Sequence, residues 1–146
     1  MTQDAIRVLL VEDNPGDARL VEETLAEVRS PRFELTHVAG LEEARRSLVE
    51  EDYDAVLLDL LLTDSPRLGT LLEMPDHASR AAVIVFTGLD EDFVESFALG
   101  EGAQDYLVKG NVNADELVAS IRTAIKRHKT GSGPATTRQA RQSDEY

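Results

Sequence analysis

Val8-Leu-Leu-Val11 runs straight into Glu12-Asp13-Asn14-Pro15, and this stretch decides the fold. A continuous apolar run of this length suits a strand buried on both faces, as in a parallel sheet covered by helices. Asn14-Pro15 then opens a helix, with Asn as the cap and Pro at the first helical position. Ala18, Val21, Leu25 and Val28 form its apolar stripe, and Ser30-Pro31 ends it.

Working outward, the same unit recurs along the chain. Phe33 to Val38 reads as a second strand, followed after Gly40 by a helix with the stripe Leu41, Ala44 and Leu48. Ala55-Val-Leu-Leu-Asp59 is a third strand, apolar until its last residue. Between Leu60 and Arg80 the pattern is least readable, and a short helix is expected around Leu68 to Met74, bracketed by Pro66 and Pro75. Ala82-Val-Ile-Val-Phe-Thr87 is a fourth strand, Asp90 to Leu99 a helix, and Asp105-Tyr-Leu-Val108 a short fifth strand. Asn113 starts a last helix with the stripe Leu117, Ile121, Ala124 and Ile125. Five such units predict an α/β fold: a doubly wound parallel sheet with helices on both faces. In such sheets the ligand site lies beyond the carboxyl ends of the strands. Function is therefore expected just after Val11, Leu58, Phe86 and Val108.

The chain has 146 residues, a length that suits one domain. After His128 the composition turns to Gly, Ser, Thr, Pro, Gln and Arg, which buries no core. The expected division is a folded body at 1–128 and a disordered polar tail at 129–146. There is no cysteine, which excludes a disulfide scaffold, a cysteine nucleophile and thiolate metal sites. The net charge is −13, and lysine occurs only as Lys109, Lys126 and Lys129. So acidic a surface repels phosphate backbones and anionic lipid, which argues against direct nucleic-acid or membrane binding. No stretch reaches the length of a membrane span, and no basic-then-apolar leader precedes the first strand. A cytoplasmic location is the expectation.

The strand ends carry the chemistry. Glu12 and Asp13 follow the first strand, Asp59 ends the third, Thr87 ends the fourth and Lys109 follows the fifth. Clustered carboxylates raise one another's pKa and are tolerable around a hard cation, for which Mg²⁺ is the natural choice. Glu12 and Asp13 suit the metal, with Asp59 as third ligand and nucleophile. A carboxylate attacking phosphorus gives an acyl phosphate. The transferring phosphoryl oxygens need partners such as the metal, the Lys109 ammonium and the Thr87 hydroxyl. Each residue alone has a blander reading. A strand-end Asp is commonly a cap, Glu12-Asp13 favours the following helix dipole, Thr87 is a β-branched strand terminus and Lys109 a solvated charge. Their convergence on one sheet edge favours the joint reading. His37, His77 and His128 are scattered and none is expected to face this edge, so a donor histidine must come from another molecule.

With these residues in place, residues 5 to 128 resemble the receiver domain of two-component response regulators. The resemblance is carried by Val11-Glu-Asp-Asn-Pro15, Leu57-Leu-Asp59-Leu, Val85-Phe-Thr87-Gly88 and Gly102-Ala-Gln-Asp-Tyr106-Leu-Val-Lys109-Gly110. It implies the flavodoxin-like strand order 2-1-3-4-5. It implies Asp59 as phosphoacceptor, served by a sensor histidine kinase or a histidine phosphotransfer domain. It further implies Glu12 and Asp13 as the Mg²⁺ pair, the backbone carbonyl of Leu61 as a further metal ligand, Thr87 and Lys109 on the acyl phosphate, and Tyr106 as the aromatic switch. In that family the switch ring packs inward when the threonine moves toward the phosphate.

The chain departs from the family pattern in three places. Where many receivers follow the phosphoacceptor with a proline and a glycine-containing turn, this chain reads Leu60-Leu-Leu-Thr-Asp-Ser-Pro66-Arg-Leu-Gly69. Gly110 replaces the usual proline after the lysine, as in a subgroup resembling receivers found beside sensor kinases and phytochromes, and allows a freer loop. The helix from Asp90 has no basic residue, which argues against the charge-bridged dimer of some family members, although Phe93, Val94 and Phe97 offer apolar contact. Leu61 and Leu89 flank the expected path of hydrolytic water, and neither orients it, so slow self-dephosphorylation is expected. With no effector domain expected, output falls to contact with a downstream protein target, to phosphorelay, to regulation of the kinase, or to the rest of a longer chain. Either a monomer or a phosphorylation-modulated homodimer suits these roles. The competing reading is a receiver-like scaffold that is never phosphorylated. A dehalogenase-type phosphatase would want an acid at Leu61, and flavin or dinucleotide sites would want hydroxyl- or glycine-rich loops where Glu12-Asp13 stand.

Overall fold

The computed structural model describes residues 5–64 and 80–131. Its elements are β1 (Ile6–Val11), α1 (Pro15–Ala26), β2 (Phe33–Val38), α2 (Leu41–Glu50), β3 (Ala55–Leu58), β4 (Ala82–Thr87), α3 (Asp92–Gly100), β5 (Asp105–Val108) and α4 (Ala114–Thr130). The strands form one five-stranded sheet in the order β2-β1-β3-β4-β5, every pair parallel. This is the doubly wound architecture and strand order expected. The short helix expected around 68–74 lies outside the described residues.

Strand alternation sorts the core into two layers. Val8 and Leu10 of β1 join Leu57, Ile84 and the stripes of α1 (Ala18, Val21, Leu25) and α4 (Leu117, Ile121, Ala124). Leu9 and Val11 turn the other way, onto Leu58, Val85, the α2 stripe (Leu41, Ala44, Leu48) and Val94 and Ala98 of α3. β3 is inaccessible along its whole length, so it is the central strand from which both layers are built.

Caps set where helices begin and end. The Asn14 side chain accepts the Asp17 N–H, and Pro15 stands at the first helical position. Asn113 and Glu116 form a reciprocal capping box on α4, and Gly131 closes it in the left-handed region with φ 74°. α4 therefore continues through Thr130, past the boundary expected at 128. α3 begins at Asp92 rather than Asp90, because Glu91 is the extended cap residue. Of its apolar residues Val94 is buried, Phe97 half-buried and Phe93 exposed.

α2 has an unusual cap. Its N-cap is Gly40, and Asp64, from the chain after β3, supplies the missing acceptor. Asp64 Oδ1 takes the Leu41 N–H at 2.9 Å and Oδ2 the Glu42 N–H at 3.2 Å. A Cβ at Gly40 would lie 2.7 Å from Asp64 Oδ2, so glycine is needed here for space. Gly40→Ala and Asp64→Ala are each expected to cost about 1 kcal/mol in urea unfolding, the usual value of a helix cap. Because both remove one interaction, the double variant is expected to cost clearly less than the sum.

Candidate functional site

Parallel strands that start on one side of a sheet end together on the other. The backbone ladder continues one residue past three of them. The Glu12 N–H bonds to Val38 O (3.0 Å), Asp59 N–H to Val11 O (3.1 Å) and Lys109 N–H to Thr87 O (2.8 Å). These bonds aim Glu12, Asp59 and Lys109 from the sheet edge while the preceding residues stay in the core.

The side chains converge as expected. Carboxylate oxygens of Glu12, Asp13 and Asp59 lie within 4.8 Å of one another. Asp59 is 4% exposed, Glu12 1% and Thr87 0%. Buried charge is costly unless hydrogen bonded, and here each oxygen is served. Asp59 Oδ1 accepts from Thr87 Oγ1 at 2.8 Å and from the Leu61 N–H at 3.1 Å, and Oδ2 from Lys109 Nζ at 3.0 Å. Glu12 Oε1 pairs with Lys109 Nζ at 2.6 Å, and Oε2 accepts the Asn14 N–H at 3.1 Å. Asp13 Oδ2 accepts the Thr63 N–H at 3.1 Å, which fastens the chain after β3 to the end of β1.

Environment separates the two buried carboxylates. Burial works against ionised Asp59, but the Leu61 N–H, the Thr87 hydroxyl and Lys109 together hold it below the ordinary value. Glu12 is pushed up from 4.5 to about 7, because burial and the Asp59 charge outweigh its bonds to Lys109 and Asn14. Burial also opposes the Lys109 ammonium, yet hydrogen bonds to Glu12 and Asp17 and the charge of Asp59 hold its pKa above the ordinary value. Asp59 is thus a preformed anion, and the site carries more negative charge than its one ammonium balances. An all-oxygen, anionic donor set of this kind fits a hard divalent cation such as Mg²⁺. Glu12, Asp13 and Asp59 are the residues that could hold it. At Leu61 the bond observed is made by the N–H rather than the carbonyl.

Tyr106 is buried at 2% exposure, and its hydroxyl donates to Leu89 O at 2.6 Å. The ring is therefore inside while Thr87 bonds Asp59. The reason is local: the ring belongs to the core layer of α2 and α3, and the Leu89 carbonyl satisfies its hydroxyl. Burial, with the acids Glu95, Glu91 and Asp90 nearby, pushes its phenol up to about 12, so it remains a donor.

Sequence reasoning missed three contributors. Asp17 takes a third bond from Lys109 Nζ, at 2.9 Å. Its available signal was its place in the first turn of α1 behind Asn14-Pro15, near the strand-end cluster. Asp64 was missed because its partner, the N-terminus of α2, lies far away in sequence. His37 was set aside as scattered, yet its Nε2 lies 2.7 Å from the backbone oxygen of Glu12. It touches the strand end behind the carboxylates. His77 lies outside the described residues.

The family model for the response regulator receiver domain matches residues 8–122. The chain belongs to this family. It is similar to the uncharacterized transcriptional regulatory protein YcbL of Bacillus subtilis, with 31% identity covering 82% of this chain and 50% of that protein. It is also similar to the cell cycle response regulator CtrA of Brucella ovis, with 33% identity covering 85% of this chain and 52% of the relative. The chain thus spans about half the length of the curated relatives it matches. Among solved structures, the signal receiver domain of a putative Luxo repressor protein from Vibrio parahaemolyticus superimposes with a TM-score of 0.76 at 26% identity. That match covers 88% of this chain and 96% of the other. Receivers generally bind Mg²⁺ at an acidic pocket and work with histidine kinases or phosphotransfer proteins. The acidic pocket is present in this receiver. Among the described residues no helix is long and apolar enough to cross a membrane.

The pKa of Glu12 has a testable sign. A carboxyl raised on folding stabilises the fold when protonated, and that stability is lost as pH rises from about 4.5 through about 7. In EDTA at pH 8, Glu12→Gln is therefore expected to be more stable than the parent by about 1–3 kcal/mol, the gap closing below pH 5. Denaturant unfolding at the two pH values checks this. Asp59 has the opposite sign, its contribution being lost as pH falls.

Proposed function

We propose that this chain is a phosphorylation-controlled switch of a two-component system or phosphorelay. In this reading Asp59 accepts a phosphoryl group from a phosphohistidine on a sensor histidine kinase or histidine phosphotransfer domain. The observation that carries it is the state of Asp59: buried, ionised, and bonded at both oxygens by groups that also suit phosphoryl oxygens. In the transfer the histidine N–P bond breaks and an Asp59 O–P bond forms, leaving a neutral imidazole after proton uptake. Mg²⁺, when bound, neutralises charge on the phosphoryl oxygens. Glu12, Asp13, Asp59 and the Leu61 carbonyl are its proposed ligands.

The chain's own groups do the rest. Lys109 and Thr87 give up their bonds to Asp59 and donate instead to the new phosphoryl oxygens. Moving Thr87 pulls on the β4–α3 connection, where Tyr106 grips the Leu89 carbonyl. Thr87 and Tyr106 are thereby the proposed switch pair. Catalysis is confined to the chain's own phosphorylation and dephosphorylation. The working unit is the receiver body, expected from the sequence at 1–128 and extended by α4 to Thr130, followed by a polar tail. Output runs through contact with a downstream protein target or through phosphorelay, without direct nucleic-acid or membrane binding, in the cytoplasm, as a monomer or a phosphorylation-modulated homodimer.

Intact mass after incubation with Mg²⁺ and acetyl phosphate tests this. One added phosphoryl group is expected, absent in Asp59→Asn and absent in EDTA. An unchanged mass, with beryllofluoride also failing to bind, would favour a receiver-like scaffold that is never phosphorylated. Hydrolysis of the acyl phosphate is expected to be slow, because apolar Leu61 and Leu89 flank the route of the attacking water. Leu89→Asn is expected to shorten the lifetime of the phosphorylated form severalfold, and an unaltered decay would overturn that account.

A further inference from the structure

An ammonium has three N–H bonds, and at Lys109 three carboxylates take them. Glu12 Oε1 lies at 2.6 Å, Asp17 Oδ2 at 2.9 Å and Asp59 Oδ2 at 3.0 Å. Two of these acceptors are buried, whereas the Asp17 side chain is 41% exposed. Asp17 is itself held in place: its N–H is bonded to Asn14 Oδ1 at 3.0 Å, at the start of α1. The Asp17–Lys109 bond joins residues 92 apart and ties α1 to the end of β5 across the site.

Glu12 presents a conflict. Both of its oxygens are committed, Oε1 to Lys109 and Oε2 to the Asn14 N–H. A cation that uses Glu12 has to displace one of them, and the flexible lysine yields more readily than a backbone N–H fixed at a helix start. Without Asp17, the remaining acceptors of Lys109 seen here would be Glu12 and Asp59, both proposed metal ligands. The ammonium would then compete with the cation at each.

We propose that Asp17 is a positioning residue that draws Lys109 to the α1 side of the site and so frees Glu12 for Mg²⁺. This rests on the metal-dependent phosphoacceptor reading above. A residue that acts on a metal through a ligand's partner typically alters metal affinity by about 10–100-fold. The plain alternative is a first-turn acid that favours the helix dipole and attracts cations only by its charge.

Mg²⁺ titration of the full chain by calorimetry separates the two. With Lys109 present, Asp17→Ala is expected to weaken Mg²⁺ binding about 10-fold. Asp17→Asn is expected to weaken it less, since an amide oxygen still accepts a bond from Lys109. In a Lys109→Met background both substitutions are expected to change affinity less than about 2-fold, because no ammonium remains to be held away. Unfolding curves of each variant confirm that the titrated protein is folded, and Lys109→Gln serves as a second background. Equal losses in both backgrounds, or equal losses for Ala and Asn, would show a charge effect and overturn the role of Asp17 alone. No Mg²⁺ binding by the unsubstituted chain would overturn the phosphoacceptor reading and the role of Asp17 with it.

Discussion

A carboxylate buried at the end of the central strand has to be compensated from several directions at once, and the structure is arranged around doing so at Asp59. Left unpaired, such a charge would cost several kcal/mol, a large share of the stability of a domain this size. The hydroxyl of Thr87, the N–H of Leu61 and the ammonium of Lys109 arrive from β4, the chain after β3 and the end of β5. No local segment supplies all three, so the site exists only when the sheet is complete. The same bonds that make burial tolerable keep Asp59 ionised, which is the state a nucleophile needs.

The surroundings are deliberately unequal. Lys109 is one cation among Glu12, Asp17 and Asp59. Glu12 bears most of the cost, with its pKa near neutrality, while Asp59 is held as the anion. That asymmetry separates two carboxylates of one cluster, and on the proposed mechanism it leaves Asp59 to react and Glu12 to gain most from a cation. The connection after β3 is pinned on both sides, by Asp13 at Thr63 and by Asp64 at the start of α2. The segment carrying Leu61 is thereby fixed relative to β1 and α2 without the proline and glycine turn that many receivers use.

What the sequence disclosed, it disclosed through short-range rules. Val8 to Val11 and Ala55 to Leu58 read as strands because their apolar runs are uninterrupted, and Asn14-Pro15 and Asn113 as helix starts because caps act within a turn. The strand-end residues were legible because parallel topology brings them together however long the intervening helices are. Asp17, Asp64 and the His37 contact were not legible. Each depends on which side chain reaches across a gap, and no periodicity encodes that. The hydrogen bond of Tyr106 was not legible for a related reason. Its hydroxyl partner is the main-chain oxygen of Leu89, and a carbonyl leaves no mark in a sequence.

That buried tyrosine changes what a switch here has to do. A ring that swings from solvent into the core reports phosphorylation by its position. Here the ring is already seated, with the Leu89 carbonyl bonded to its hydroxyl and Thr87 two residues earlier on the same strand end. On the proposed mechanism, Thr87 exchanges Asp59 for a phosphoryl oxygen while Tyr106 holds the far side of the β4–α3 connection. The two grips act on one short piece of backbone, so on this mechanism a small displacement at Thr87 would be passed to α3. Phe93, exposed at the start of α3, is the apolar residue such a shift would reposition first. A ligand moves an equilibrium only by its differential affinity for the two states. On the proposed mechanism that difference comes from the bonds that Thr87 and Lys109 make to Asp59 in one state and to the phosphoryl oxygens in the other, which centres the energetics of the switch on the phosphoacceptor itself.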